Sequence, residues 1–245
     1  MQINKVCSVC DNRIDRYLPL PDFYFKQALK YGYSIEKCVP ETGNRIEYSC
    51  PVCGAADRER LYAMYLKELF TNAIPDDKFI FLDIAPAKPL QKFINENFTV
   101  DYRSLDFLME DVTYNDNLMN IASIKSNTIN YVLCSHVLEH VDNDRKALSE
   151  IYRIMKPGAS GIVMVPLDLT MQETEEDINA TEAEKWKRFG QNDHVRKYSK
   201  SDFLQKLEST DFFVTELGIN HFGMDKFYAN GLIQSSILYT IEKQN

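Results

Sequence analysis

Residues 128–167 read TINYVLCSHVLEHVDNDRKALSEIYRIMKPGASGIVMVPL, and the order of chemistry along them decides the fold. Ile129, Tyr131, Val132 and Leu133 form a short apolar, β-branched and aromatic run of strand length. Asp142 or Asn143 can cap a helix in which Ala147, Leu148, Ile151, Ile154 and Met155 recur at helical spacing. Lys156 falls in the expected last turn, where a cation suits the negative end of the helix dipole, and Pro157-Gly158 are expected to end the helix. Ile162-Val163-Met164-Val165 is a second buried strand. Strand, crossover helix and strand at this length make a βαβ unit. The sheet is therefore expected to be parallel, with ligands meeting it at the C-terminal ends of its strands.

Upstream, Phe79 to Leu82 is another buried strand, and Leu90, Phe93 and Ile94 begin a helix face after it. The turn between them, Asp83-Ile84-Ala85-Pro86-Ala87, contains no glycine. A pyrophosphate needs the close backbone approach that glycine allows, so the turn argues against a nicotinamide dinucleotide; a nucleoside cofactor without phosphates does not need it. Residues 100–106 alternate as a second strand and end in Asp106. A carboxylate there can accept two hydrogen bonds from the ribose hydroxyls of a nucleoside. The strand that reaches Leu133 delivers Cys134, Ser135 and His136 to its C-terminal end, where they should line a pocket. Cys134 has no activating base nearby in sequence and reads as a packed thiol.

Length and charge set the frame. The 245 residues suffice for one α/β domain with a small appendage, and the net charge of −8, with acids massed over residues 173–184, argues against a general nucleic-acid or anionic-membrane binder. No apolar run approaches the length of a membrane span, and MQINKVCSVC lacks the regions of a signal peptide. A cytoplasmic setting with reduced thiols is expected. Cys7-x-x-Cys10 and Cys50-x-x-Cys53, the latter followed by Gly54, are two knuckles, each supplying two thiolates from one tight bend. Together they predict a structural four-cysteine zinc site over residues 1–56. The aromatics Phe23, Tyr24, Phe25, Tyr31 and Tyr33 between them are expected to pack on the main domain. Residues 57–71 read as a helix with Leu61, Tyr62, Tyr65, Leu66, Leu69 and Phe70 on one face.

Downstream, residues 166–200 are polar and read as an insertion on the substrate side. Thr181 and Glu184 form a capping box for a helix carrying Trp186 and Phe189. Asp193-His194 has the logic of a general base beside an orienting carboxylate, and Arg196 could hold an acidic or phosphorylated substrate. A capped helix follows at residues 199–208, and residues 212–217 and 235–241 read as two last strands.

INYVLCSHVLEH followed by LSEIYRIMKPGAS closely resembles the second half of class I S-adenosylmethionine-dependent methyltransferases. The strings CPVCG-x-x-x-R-x-R-L-Y and FGQ-x-D-H-V-R-x-Y resemble a bacterial subfamily with a zinc knuckle before the catalytic domain. The resemblance covers nearly the whole chain. It implies a Rossmann-like seven-stranded, mostly parallel α/β sheet with helices on both faces over residues 57–245, its last strand antiparallel. It also implies cofactor contacts from Asp83, Ala85 and Pro86, where a variant A-P-E-x-x-L turn replaces the family's usual glycines. Asp111 and Val112 would sit at the adenine, Ser135 and His136 near the methyl group, and His140 near the substrate. The expected activity is methyl transfer from S-adenosylmethionine to a small-molecule or saccharide acceptor, with His194 as first and His140 as second candidate base. The competing readings are a non-catalytic zinc-knuckle adaptor with a degenerate cofactor site, and a nicotinamide-dependent enzyme. The oligomeric state is not legible.

Overall fold

Two C-x-x-C turns shape the start of the chain. In the computed structural model, which describes residues 4–72 and 75–244, β1 (Lys5–Val6) and β2 (Arg13–Ile14) pair antiparallel on either side of the first turn. Helix α1 (Asp22–Tyr31) ends at Gly32, whose left-handed φ of 76° closes the C-cap without a Cβ clash. Helix α2 (Asp57–Asn72) is the one expected from its apolar stripe: Leu61, Tyr62, Leu66 and Phe70 are buried, and Tyr65 and Leu69 pack against the core at its edge.

The main sheet begins with β3 (Ile80–Ile84), crosses through α3 (Lys88–Asn97) to β4 (Asp101–Asp106), and reaches the short β5 (Tyr114–Asn115). The chain then returns to the middle with β6 (Ile129–Ser135), α4 (Asp144–Ile154) and β7 (Met155–Met164). The insertion holds β8 (Glu175–Glu176), α5 (Glu182–Phe189) and β9 (Arg196–Lys197), with β8 and β9 paired antiparallel. After α6 (Lys200–Glu208) come β10 (Phe212–Leu217), the short helices α7 (Ile219–Phe222) and α8 (Met224–Ala229), and β11 (Leu238–Lys243). The seven strands lie in the order β10-β11-β7-β6-β3-β4-β5, and β11 alone runs antiparallel to its neighbours. This is the seven-stranded Rossmann-like sheet expected from the sequence. Consecutive buried residues in β3 (Phe81 to Ile84) and β6 (Tyr131 to Cys134) mean that helices cover both of its faces.

The central βαβ unit holds with one correction. Asn143 caps α4 by accepting the Lys146 N–H at 2.9 Å. The helix, however, ends at Ile154, because Met155 is already extended and pairs with Ile129 at the start of β6. Lys156-Pro157-Gly158 therefore lie in β7, and the Lys156 ammonium reaches Asn130 Oδ1 at 2.8 Å. Arg153 takes the cationic place in the last turn, bonded to Glu150 and to the Ile121 and Ile124 carbonyls. At Gly161 a Cβ would lie 2.4 Å from the Val132 carbonyl oxygen, so β7 can approach β6 this closely only with glycine there.

The first sixty residues lie against the C-terminal helices. The fully buried Arg60 guanidinium stacks on Tyr17 and donates to the carbonyls of Glu47, Tyr48, Ala55 and Asn230. Tyr17 itself donates to the carbonyls of Val6 and Ala229. The chain between the knuckles then crosses to the insertion: Phe23 and Tyr31 pack on Trp186, the latter stacked at 5.7 Å. Asp168, near the start of the polar insertion, is buried there. It pairs with Lys197 at 2.6 Å and accepts the Val39 N–H.

Candidate functional site

The chain steps outward from β3 to β4 and β5, then reverses to β6 and β7, so a crevice opens where the C-terminal ends of β3 and β6 part. Both strands leave the sheet through a left-handed residue that is not glycine: Ala85 at φ 54° and His136 at φ 57°. Their amides stay tied to the sheet, Ala85 N–H to the Leu105 carbonyl and His136 N–H to that of Met164, each at 2.9 Å. A cavity of about 570 Å³ lies between them.

The wall from β4 contributes Asp106, Phe107 and Leu108. Asp106 Oδ1 accepts the N–H groups of Leu108 and Met109 at 2.7 and 2.8 Å, which turns the carboxylate toward the opening and leaves Oδ2 for a ligand. The next wall does not follow the sequence expectation. β5 starts at Tyr114, so the acid that emerges past this strand into the cavity is Asp116, followed by Asn117, Leu118 and Met119. Asp111 and Val112 precede the strand and do not line the cavity; Asp111 is exposed. Above β6 the cavity is closed by His136, Val137, His140 and Val141, with Asp193 reaching in from the insertion.

Ala85 also borders a deeper recess of about 50 Å³, lined by Arg58, Glu59, Tyr62, Asp83 and Ser135. Asp83 is buried, accepts the Tyr102 hydroxyl at 2.8 Å and leaves Oδ1 without a partner among the described residues; burial raises its pKa to about 7. Ser135 hydrogen-bonds Tyr62 at 2.8 Å and faces this recess instead of the larger cavity. Pro86 is buried and shapes the turn without lining either space.

A third space of about 190 Å³ lies beneath the N-terminal segment, where Tyr24, Tyr33 and Tyr48 meet Arg45, Gln191 and His194. The wall between it and the large cavity is a knot of titratable groups. Glu139 is wholly buried, neither of its carboxylate oxygens has a hydrogen-bond partner among the described residues, and burial raises its pKa to about 7. Glu139 Oε1 stands 3.4 Å from His136 Nδ1, 3.8 Å from His140 Nε2 and 4.0 Å from His194 Nε2. The His140 and His194 rings meet edge to face at 4.7 Å, and Asp193 Oδ2 lies 3.3 Å from His140 Nδ1. Burial drives the pKa of His194 down to about 3, so this ring is neutral. Arg196 faces neither space. It is fully buried, with Nε on Glu176 at 2.6 Å, Nη1 on the carbonyls of Leu138 and Val141, and Nη2 on that of Asp142. The substrate role expected for it gives way to a clamp on the turn that carries Glu139 and His140, because every face of the guanidinium is already engaged.

The family described as "Methyltransferase domain" matches residues 50–217, well over half of the chain. The chain belongs to the methyltransferase family. The sheet order above is that of the class I methyltransferase fold, and the nicotinamide reading falls. No curated protein matches it. Among solved structures, it is similar to phosphoethanolamine N-methyltransferase 2 of Haemonchus contortus in complex with S-adenosyl-L-methionine. Identity is 12% over 74% of this chain, with a TM-score of 0.47, and the match spans only 52% of that protein. A SAM-dependent methyltransferase from Archaeoglobus fulgidus is 15% identical over 73% of this chain and 93% of its own, with a TM-score of 0.45.

The methyltransferase carries its four knuckle cysteines as one cluster. Cys7 and Cys53 sulfurs are 3.7 Å apart, Cys10 and Cys50 sulfurs 3.9 Å, and all four lie within 4.8 Å of one another. A tetrahedral zinc with bonds of about 2.3 Å has edges of about 3.8 Å, so the thiolates fit that ion. The two turns repeat one hydrogen-bond pattern. Cys7 donates to Asn12 and accepts from Asp11; Cys50 donates to Ala55 and accepts from Gly54. The left-handed position falls on Asp11 in one turn and Gly54 in the other. Sequence reading did not assign roles to Glu139, Arg58 or Asp116. Glu139 stood within the quoted L-E-H string, but only the tertiary structure shows it buried without a partner.

Proposed function

We propose that the protein transfers the methyl group of S-adenosylmethionine to a small-molecule or saccharide acceptor. The carrying observation is that two spaces adjoin at the switch point. Ala85 lines both the 570 Å³ cavity and the charged recess of Arg58, Glu59 and Asp83. In this reading Asp106 accepts the ribose hydroxyls through Oδ2, Leu118 and Met119 flank the adenine, and Asp116 takes its amino group. The recess holds the amino-acid end of the cofactor, with Arg58 facing its carboxylate and an acid facing its ammonium. The Ala85 backbone passes beneath the cofactor, and His136 stands beside the sulfonium. That sulfonium is already a reactive donor, so the chain's task is to align the acceptor in line with the methyl group and keep water out.

The acceptor would enter the tyrosine-lined space. Aromatic faces with polar tips, together with Arg45 and Gln191, suit a hydroxyl-rich ring. His194 and His140 stand at its junction with the cofactor cavity, and Asp193 orients His140. The four cysteines would hold a structural zinc, which ties the two knuckles together and takes no part in the transfer; thiolate ligation suits a reducing, cytoplasmic setting.

Calorimetric titration of the zinc-replete protein with S-adenosylhomocysteine tests the cofactor site. Micromolar binding is expected, weakened by at least about tenfold in Asp106→Ala, as befits loss of charge-assisted hydrogen bonds of about 1.5–3 kcal/mol. A folded wild type that binds nothing would favour the non-catalytic adaptor.

A further inference from the structure

The groups around Glu139 do not satisfy one another. His194 Nε2 is buried with no hydrogen-bond partner among the described residues and lies 4.0 Å from Glu139 Oε1. At His140, Asp193 engages Nδ1, and Nε2 turns inward. Both Glu139 oxygens are buried and unpartnered among the described residues. Three atoms able to ligate a metal thus converge from His140, His194 and Glu139, all within 4.8 Å of one another; His136 Nδ1, 3.4 Å from Glu139 Oε1, is the other ring nitrogen beside this carboxylate. A cation would satisfy all three ligand atoms at once. Two imidazoles and a carboxylate are the donor set of open transition-metal sites. At His140 the Asp193 carboxylate beside Nδ1 repeats the usual support of a metal-bound histidine, in which the far ring nitrogen donates to a carboxylate. An ion about 2.1–2.3 Å from each atom needs shifts of only a few tenths of an ångström.

We propose that Glu139, His140 and His194 bind a divalent transition-metal cation whose open positions take an oxygen of the acceptor. The placement rests on the cofactor reading above and adds to it. His140 borders the cofactor cavity, His194 borders the tyrosine-lined space, and the ion sits in the wall between them. An acceptor hydroxyl bound there loses its proton to solvent more readily, because the cation stabilises the oxyanion. The oxygen's lone pair then forms the new bond to the methyl carbon as the carbon–sulfur bond breaks. The pair from that bond stays on sulfur, which leaves neutral S-adenosylhomocysteine. Acceptors that present a hydroxyl are therefore favoured over amines. Arg196 is a positioning residue for this site, since it holds the carbonyls on either side of Glu139 and His140.

Cobalt(II) titration of the full chain, its four-cysteine site already filled with zinc, tests the proposal. One further equivalent should bind with the weak visible absorption of a nitrogen–oxygen site and without thiolate-to-cobalt charge transfer. Glu139→Gln and His140→Ala should each weaken that binding by at least about a hundredfold. Circular dichroism and S-adenosylhomocysteine titration on the same samples verify the fold and the cofactor site. Absence of the extra equivalent, absorption of thiolate type only, or unchanged cobalt affinity in both variants would overturn the cation site. If S-adenosylhomocysteine still binds in that case, the cofactor reading stands; if it does not bind even the wild type, the cofactor reading fails separately.

Discussion

Ala85 and His136 take the left-handed conformation at the mouths of the two central strands, where a side chain costs about 1–2 kcal/mol. Ala85→Gly should therefore stabilise the fold by about 0.5–1 kcal/mol after the greater entropy of the unfolded glycine is counted. A thermal melt that moves down instead of up by about 2 °C would contradict this. Asp83, two residues earlier, couples the same turn to pH. Its pKa stands near 3.8 unfolded and about 7 folded, because burial penalises the carboxylate. Between these values the folded state holds the proton that the unfolded state has released, so stability falls as pH rises from about 4 to about 7. Asp83→Asn removes that dependence. Urea midpoints should show the variant gaining on the wild type by a few kcal/mol at most across this window; a constant offset would assign the slope to other groups.

At the scale of elements, the turn between β6 and α4 carries the reactive groups, and Arg196 at the start of β9 fixes it from outside. Replacing a buried, fully engaged guanidinium takes its donors from the Val141 and Asp142 carbonyls and leaves Leu138 only the long Tyr198 hydroxyl bond and Glu176 only Lys206 at 3.9 Å, a cost of about 3–5 kcal/mol. Arg196→Met should therefore lower the melting temperature by roughly 10 °C. Arg196→Lys should recover little of it, since one ammonium cannot serve a fork of three directions. Full recovery by lysine would mean that charge alone, and not the fork, holds the turn.

Across the whole molecule, the N-terminal segment joins both ends of the domain. Arg60 and Tyr17 bind it to α8, while Val39 and the stacked Tyr31 bind it to the insertion. A metal held by the four-cysteine cluster would tie down this strap and not the sheet. Chelation, or Cys10→Ser, is expected to speed hydrogen exchange over residues 5–60 and at the 224–232 contact, with β3, β6 and β7 still protected. Uniform loss of protection across the sheet would show that the knuckles are needed for the entire fold. No helix among the described residues is long and apolar enough to cross a membrane.

Periodicity alone was enough to place β6, α4, β7, the capped helices α5 and α6, and α2, because buried stripes and caps are local properties of the chain. The C-x-x-C turns were legible for the same reason: each repeats a short hydrogen-bond pattern that needs only its own residues. What depended on pairing partners was not. Met155 left the helix because Ile129 offered it a strand to join, and the acid at the third strand moved from Asp111 to Asp116 because β4 pairs with Tyr114 and Asn115. Arg196 looked like a substrate ligand until its guanidinium proved surrounded by carbonyls 54 or more residues away in sequence. Glu139 looked like one letter of a motif, and only its burial beside His140 and His194 made it a ligand. The sequence by itself determined where strands, helices and knuckles form, since these arise from neighbours along the chain. Only the tertiary structure decided which side chains are left unsatisfied together, because that depends on what the rest of the fold excludes from around them.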